Sequence, residues 1–269
     1  MSVADLRARF RELHARERLF VMPNPWDVGS ARLLEKLGFE ALATTSAGLA
    51  WSLGKSDQTV TRDELVAHVA ALSAAVPLPL NVDSERLYPD DPGGVTETVR
   101  MLADAGASGC SIEDFDPATG GIDDVSLAAE RVAEAAEAAH SLDSPMVLTG
   151  RCENFVHGVD DLDDTISRLV AYRDAGADCV YAPFLKTLDQ IRAVVDAVGV
   201  PVNVLALPMA PSTAELASVG VRRVSTGGSL ARAAYSAFFA GAQELHGEGT
   251  STYVAAAPGN ASFNDLLGT

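Results

Sequence analysis

Short apolar runs and longer helical patterns alternate eight times from Leu19 to the end of the chain, with no linker-like stretch between them. The runs are Leu19–Pro23, Ala41–Ser46, Leu80–Glu85, Gly109–Phe115, Met146–Arg151, Cys179–Pro183, Val202–Ala206 and Arg223–Thr226. They are of the apolar, β-branched kind that strands of a buried parallel sheet require. Between them Arg62–Ala75, Val95–Ala105, Leu127–His140, Leu162–Asp174, Leu188–Val198 and Leu230–Leu245 carry apolar residues at three- and four-residue spacing, the helical period. Lys36-Leu-Gly-Phe, Asp104-Ala-Gly-Ala, Asp174-Ala-Gly-Ala and Ser218-Val-Gly-Val each place a left-handed glycine cap just before a strand. Eight such units in about 250 residues predict an α/β chain folded as a (β/α)8 TIM barrel. An open doubly wound sheet would carry GxGxxG after its first strand, where this chain has Asn24-Pro-Trp-Asp-Val-Gly.

The 269 residues read as one barrel domain, with Met1–Arg18 an amphipathic helix ahead of the first strand and His246–Thr269 a C-terminal tail. That first helix alternates charge with Leu6, Phe10 and Leu13 and is no signal peptide, and no apolar run approaches the ~18 residues of a membrane helix. Three cysteines, Cys110, Cys152 and Cys179, are read as free thiols and point to a reducing, cytoplasmic setting. With 37 acidic against 20 basic residues, the net charge of −17 argues against nucleic acid and membrane partners. A small anionic substrate would need a locally positive site.

In a TIM barrel the chemistry sits where strands end and the following loops begin. That rule selects Asn24, Asp27, Ser46, Asp83, Glu85, Glu113, Asp114, Arg151, Glu153 and Asn203. Asp83 and Glu85, two apart on one strand, would share a face, with Glu113 and Asp114 ending the neighbouring strand. Carboxylates so crowded raise one another's pKa unless a hard cation keeps them ionised, and an all-oxygen set without histidine favours Mg2+ or Mn2+ over Zn2+. The alternative is that they pair with Arg86 and Arg151 or sit in water. Arg151 suits bidentate recognition of a carboxylate or phosphonate, or equally a structural salt bridge to Glu153 or Glu113. Ser46 lies in Thr44-Thr-Ser-Ala-Gly-Leu, whose small residues fit either an anion approached by backbone N–H groups or a tight turn. His14, His68, His140, His157 and His246 show no catalytic or metal-ligand spacing and are read as solvated, and Cys152 as a buried thiol rather than a nucleophile.

Pro23-Asn-Pro-Trp-Asp-Val-Gly-Ser-Ala, Thr44-Thr-Ser-Ala-Gly-Leu-Ala, Val82-Asp-Ser-Glu, Ser111-Ile-Glu-Asp and Gly150-Arg-Cys-Glu-Asn-Phe, in this order, resemble the isocitrate lyase/phosphoenolpyruvate mutase superfamily over nearly the whole chain. The resemblance implies a barrel whose last helix is swapped between subunits of a dimer or tetramer, and a Mg2+ site for a 2-oxo acid or its enolate. By similarity Ser46, with the backbone of Ala47 and Gly48, would grip the substrate anion, and Asp57 would organise water at the metal. Asp83 and Glu113 would hold the Mg2+, Glu85 would replace the second aspartate of the usual Asp-x-Asp, and Arg151 would steady the substrate oxygens beside Asn203.

Two departures bear on the reaction. The superfamily's C–C lyases carry Lys-Lys/Arg-Cys-Gly-His after strand 4, where this chain has Phe115-Asp-Pro-Ala-Thr-Gly-Gly-Ile, and strand 6 ends in Tyr181-Ala-Pro-Phe where lyases place a glutamate. The expected function is a Mg2+-dependent lyase or phosphonomutase acting on an oxaloacetate- or phosphonopyruvate-like anion, with Asp57, Arg151 and Glu113 catalytic. Its alternatives are a 2-methylisocitrate lyase-like enzyme using Cys152 or a tyrosine as acid, and a non-catalytic 2-oxo acid binder. The apolar helix Leu230–Leu245 is expected to pack on another subunit, or else under the Ser251–Thr269 tail.

Overall fold

The computed structural model describes residues 1–255 and 257–268, so Ala256 and Thr269 of the expected tail lie outside the described residues. Strands follow in chain order as β1 (Phe20–Met22), β2 (Leu42–Ala43), β3 (Leu80–Val82), β4 (Gly109–Glu113), β5 (Phe115–Asp116), β6 (Gly121–Ile122), β7 (Val147–Arg151), β8 (Cys179–Tyr181), β9 (Val202–Leu205) and β10 (Arg223–Ser225). β5 and β6 form a small antiparallel hairpin, and the other eight make one parallel sheet in the order β1-β10-β9-β8-β7-β4-β3-β2. Its two edges meet where the Ala43 N–H donates to the Pro23 carbonyl at 3.0 Å and Asn24 Nδ2 donates to the Thr44 carbonyl at 2.6 Å. The sheet thereby closes as the (β/α)8 barrel that the eightfold alternation predicts.

The helices are α1 (Val3–Ala15), α2 (Val28–Lys36), α3 (Ser46–Ser52), α4 (Arg62–Ala75), α5 (Gly94–Asp104) and α6 (Val125–His140), then α7 (Leu162–Asp174), α8 (Leu188–Val198), α9 (Thr213–Ser218), α10 (Ser229–Gly247) and α11 (Asn260–Leu267). Their starts are written locally: Ser2 with Asp5, Thr61 with Glu64 and Thr187 with Gln190 close reciprocal capping boxes. No helix among the described residues is long and apolar enough to cross a membrane.

Three local expectations change. β3 stops at Val82, because Glu85, Leu87 and Tyr88 turn the chain with φ of +49°, +59° and +49°. The shared-strand-face argument for Asp83 and Glu85 therefore fails. Ser46 is no strand residue but opens α3, which Thr45 caps by accepting from the Gly48 N–H. Phe115–Ile122 is the β5–β6 hairpin, with Arg86 bridging to Asp116 at 2.8 Å and Phe115 stacked on His157 at 3.6 Å between ring centroids.

His14 is the fourth correction. Helix α1 plugs the amino-terminal end of the barrel with Phe10 and Leu13 against Phe20, Met22 and Val147, and carries His14 in with them. Its Nδ1–H donates to the Phe10 carbonyl at 2.8 Å, so Nε2 accepts from Arg223 at 3.1 Å. Burial, reinforced by the Arg223 charge, pushes its pKa down to about 3. Between pH 6.5 and 3 the unfolded chain thus binds a proton that the folded chain refuses, and stability from this group is lost as pH falls below about 6.5. Relative to a His14→Leu variant, the wild type should lose about 1.4 kcal/mol per pH unit between about pH 6 and 5. Chemical denaturation at several pH values reads this difference. Buried carboxylates with raised pKa give a slope of opposite sign, which cancels in the comparison; parallel curves would show that His14 does not titrate as described.

Candidate active site

TIM barrels are usually filled by layers of branched apolar side chains. This one is not. A cavity of about 540 Å3 opens at the carboxyl ends of the strands and reaches down to Met22, Asn81, Ser111, Asn203 and Arg223. Strand alternation sets the pattern, since inward positions two apart carry Ser111 and Glu113 on β4, Thr149 and Arg151 on β7, and Arg223 and Ser225 on β10.

Arg151 is the hub of the wall. Its Nη1 lies 3.1 Å from Asp83 Oδ1 and 3.3 Å from Glu113 Oε2, its Nε bonds Glu153, and its guanidinium stands 5.3 Å from the centroid of the Tyr181 ring. Burial opposes its charge, but Glu153, Glu113 and Asp83 outweigh that and hold the pKa well above the ordinary arginine range. Asp83 is fixed from three sides, with its Oδ2 accepting from the Ser46 N–H at 2.9 Å and its N–H donating to Thr44 Oγ1 at 2.8 Å. Burial pushes the pKa of Glu113 well up, with Arg151 opposing. Glu85 is pushed up to about 8, by burial first and then by Asp83 and Asp57. Asp57, on the rim, is raised by partial burial and by Asp83, while the Ser46 hydroxyl opposes.

Asp83, Glu85, Glu113 and Arg151 lie together with Asp57, which only the resemblance picks out, and the structural salt bridges weighed for Arg151 exist together with its position on the cavity. Ser46, Ala47, Asp57, Asp83, Arg151 and Asn203 line the cavity, whereas Glu85 and Glu113 stand behind that wall. Gly48 does not line it: a Cβ there would meet Thr45 at 2.6 Å and Trp26 at 2.9 Å, so the glycine lets α3 pack closely. Asp114 turns away from the mouth to accept from the Tyr172 hydroxyl at 2.6 Å and the Glu153 N–H at 2.8 Å. Asn24 ties the barrel seam to the Thr226 and Gly227 N–H groups at 2.9 Å, and Asp27 caps α2. Cys152 is fully buried in the apolar core, and burial drives its thiol pKa upward.

Sequence reasoning missed two groups. Gln58, in left-handed backbone at φ +63°, donates Nε2 to Glu113 Oε1 at 2.9 Å, while its own Oε1, like Glu85 Oε1, is buried without a hydrogen-bond partner. Nothing in its neighbourhood in sequence announces that role. Arg223 had a signal, a charge at the first position of the short strand run Arg223-Val-Ser-Thr. Among the described residues no three His, Cys, Asp or Glu side chains form a ready metal cage, because Arg151 stands between the carboxylates.

The chain matches the phosphoenolpyruvate phosphomutase family over residues 10–246. It is 34% identical to an uncharacterised protein of Mycobacterium tuberculosis, over 81% of each chain. It is also 34% identical to oxaloacetate decarboxylase of Paraburkholderia xenovorans, covering 76% of this chain and 70% of that one. Among solved structures, one assigned as a lyase/mutase from Burkholderia cenocepacia is 50% identical, with a TM-score of 0.94 over 99% of this chain and 97% of the other. A barrel with its acidic, arginine-centred mouth and a match across nearly all of its length place the chain in the phosphoenolpyruvate phosphomutase family, within the PEP mutase/isocitrate lyase superfamily of lyases and mutases.

Proposed function

We propose that the protein is a divalent-cation-dependent enzyme that breaks or rearranges the bond at C3 of a small 2-oxo dianion of oxaloacetate or phosphonopyruvate type, through its enolate. The observation that carries this reading is the Arg151 cluster, a charged guanidinium on the wall of the cavity with Asp83 beside it and Glu113 and Glu153 behind. The likeness to a relative named oxaloacetate decarboxylase supports it.

The donor set fits Mg2+ or Mn2+. Asp83, Glu85 and Glu113 offer only oxygens, the pKa values of Glu85 and Glu113 are raised by burial first and then by neighbouring carboxylates, and Glu85 Oε1 and Gln58 Oε1 are buried acceptors in want of a partner. These carboxylates, with Asp57 at the rim, would hold the ion. When bound, it supplies positive charge that stabilises an enolate as the bond at C3 breaks. The chain's own groups do the rest: the Ser46 hydroxyl and Ala47 N–H grip a substrate carboxylate or phosphonyl group, and Arg151 spreads developing charge on the substrate oxygens. Asp57, with its raised pKa and open rim position, is placed to carry a proton.

A panel of oxaloacetate, phosphonopyruvate and methylisocitrate with Mg2+ tests the reaction, and thermal unfolding tests the ion. Mg2+ should raise the melting temperature of the wild type and not of Asp83→Ala. Binding without turnover of any panel member would mark a 2-oxo acid binder, and an intact Mg2+ response in the variant would put the ion elsewhere.

We also propose a homo-oligomer. On α10 only Ala231 and Gly241 are buried, Phe238 and Phe239 stay 72% and 62% exposed, and the described tail meets the helix where Tyr253 packs on Gly241 and where Thr250, Thr252 and Tyr253 donate to Glu244. So large an apolar face suits a second copy. Sedimentation should find no monomer at micromolar concentration; a monomer would end this proposal and leave the site untouched.

A further inference from the structure

The cavity floor holds a cation that the arginine cluster does not explain. Arg223 is 2% exposed, lines the cavity, and has no carboxylate partner among the described residues. Its Nε donates to Asn203 Oδ1 at 2.9 Å, its Nη1 to His14 Nε2 at 3.1 Å and its Nη2 to Thr149 Oγ1 at 3.0 Å, all neutral acceptors. A buried charge is ordinarily costly unless an opposite charge meets it, and an apolar residue would fill a barrel layer without that cost. These three bonds commit three of the five guanidinium N–H donors.

The bond to Asn203 also decides which way that amide faces. With Oδ1 held by Arg223, Nδ2 is the end left to donate, one hydrogen going to Ser225 Oγ at 2.9 Å and the other remaining on a cavity-lining side chain. The floor is therefore positive and rich in donors, while the carboxylates gather at the mouth. That polarity matches a small dianion, two carboxylates or a carboxylate and a phosphonate, with its chelating oxygens toward the mouth.

We infer that Arg223 is the fixed counter-charge for the buried anionic group of the substrate, and a positioning residue that orients Asn203 to donate to it. This rests on the cavity being an anion site, as proposed above.

The test measures oxalate, a small dianion, by calorimetry in excess Mg2+, and Mg2+ separately. Arg223→Met should weaken oxalate at least about tenfold while Mg2+ binds as before or more tightly, because removing a positive charge disfavours an anion and favours a cation. Arg223→Lys should stay within about threefold of the wild type. His14→Glu, which sets a carboxylate against Arg223 from outside the cavity, should act like Arg223→Met, and it decides the matter if the methionine variant does not fold. Unchanged oxalate binding in a folded Arg223→Met or His14→Glu protein would overturn the inference, as would a joint loss of oxalate and Mg2+ in all three variants. A wild type that binds no oxalate would remove the anion-site reading and the inference with it, whereas oxalate binding that ignores Arg223 removes the inference alone.

Discussion

Arg151→Met should lower kcat/KM on the best substrate by on the order of 10²–10³-fold, the cost of removing a positioned donor from a site of developing negative charge. It should also destabilise the fold by about 3–5 kcal/mol, because Asp83, Glu113 and Glu153 lose the one guanidinium that all three share. Both effects follow from the same geometry, and they can be separated. Mg2+ can offset part of the repulsion among the carboxylates, so the stability loss should shrink as Mg2+ is added while the activity loss persists. A suitable control is Arg192→Met, since Arg192 pairs at 3.7 Å with an Asp189 that is 95% exposed, and such surface pairs are worth about 0–1 kcal/mol. Steady-state rates and denaturant titrations of both variants check the claim. An Arg151→Met enzyme within tenfold of wild-type kcat/KM would show that the substrate charge develops elsewhere.

What could be read from sequence follows from how local each determinant is. The barrel strands and the helices Arg62–Ala75, Leu162–Asp174 and Leu188–Val198 were legible because their periodicity and caps lie within the segment itself. Asp83 and Arg151 were legible because a barrel presents its strand ends at one face, so position in the repeat was enough. Glu85 reached the same cluster by a different route, through a left-handed turn that strand alternation does not foresee. His14 and Arg223 were misread or missed because their burial is created by α1 docking under the barrel, a contact between residues 209 positions apart. Gln58 is the extreme case: its role comes entirely from where the rim loop falls relative to Glu113.

The remaining prediction concerns which bond this site can break. Cleavage of methylisocitrate or isocitrate should be slower than reaction of oxaloacetate or phosphonopyruvate by about 10²–10⁴-fold, the usual worth of general acid–base assistance. The hairpin that stands where related lyases place a reactive cysteine has neither cysteine, histidine nor lysine, and its one carboxylate, Asp116, is tied to Arg86. Cys152 cannot stand in, since its thiol lies in the apolar core with a raised pKa and does not line the cavity. Oxaloacetate or phosphonopyruvate needs less help, because oxaloacetate releases CO2 and leaves an enolate that can take its proton from water, while phosphonopyruvate can pass its phosphoryl group from C3 to the enolate oxygen with no proton added. Coupled assays of pyruvate, phosphoenolpyruvate and glyoxylate release would measure the ordering. Fast release from the longer tricarboxylates would reverse it and direct attention to Tyr181, which lines the cavity beside Arg151 and whose phenol is held protonated by burial. Tyr181→Phe would then be expected to lower kcat for the tricarboxylate while leaving its KM and the oxaloacetate rate nearly unchanged, the signature of a group that acts only in the transition state.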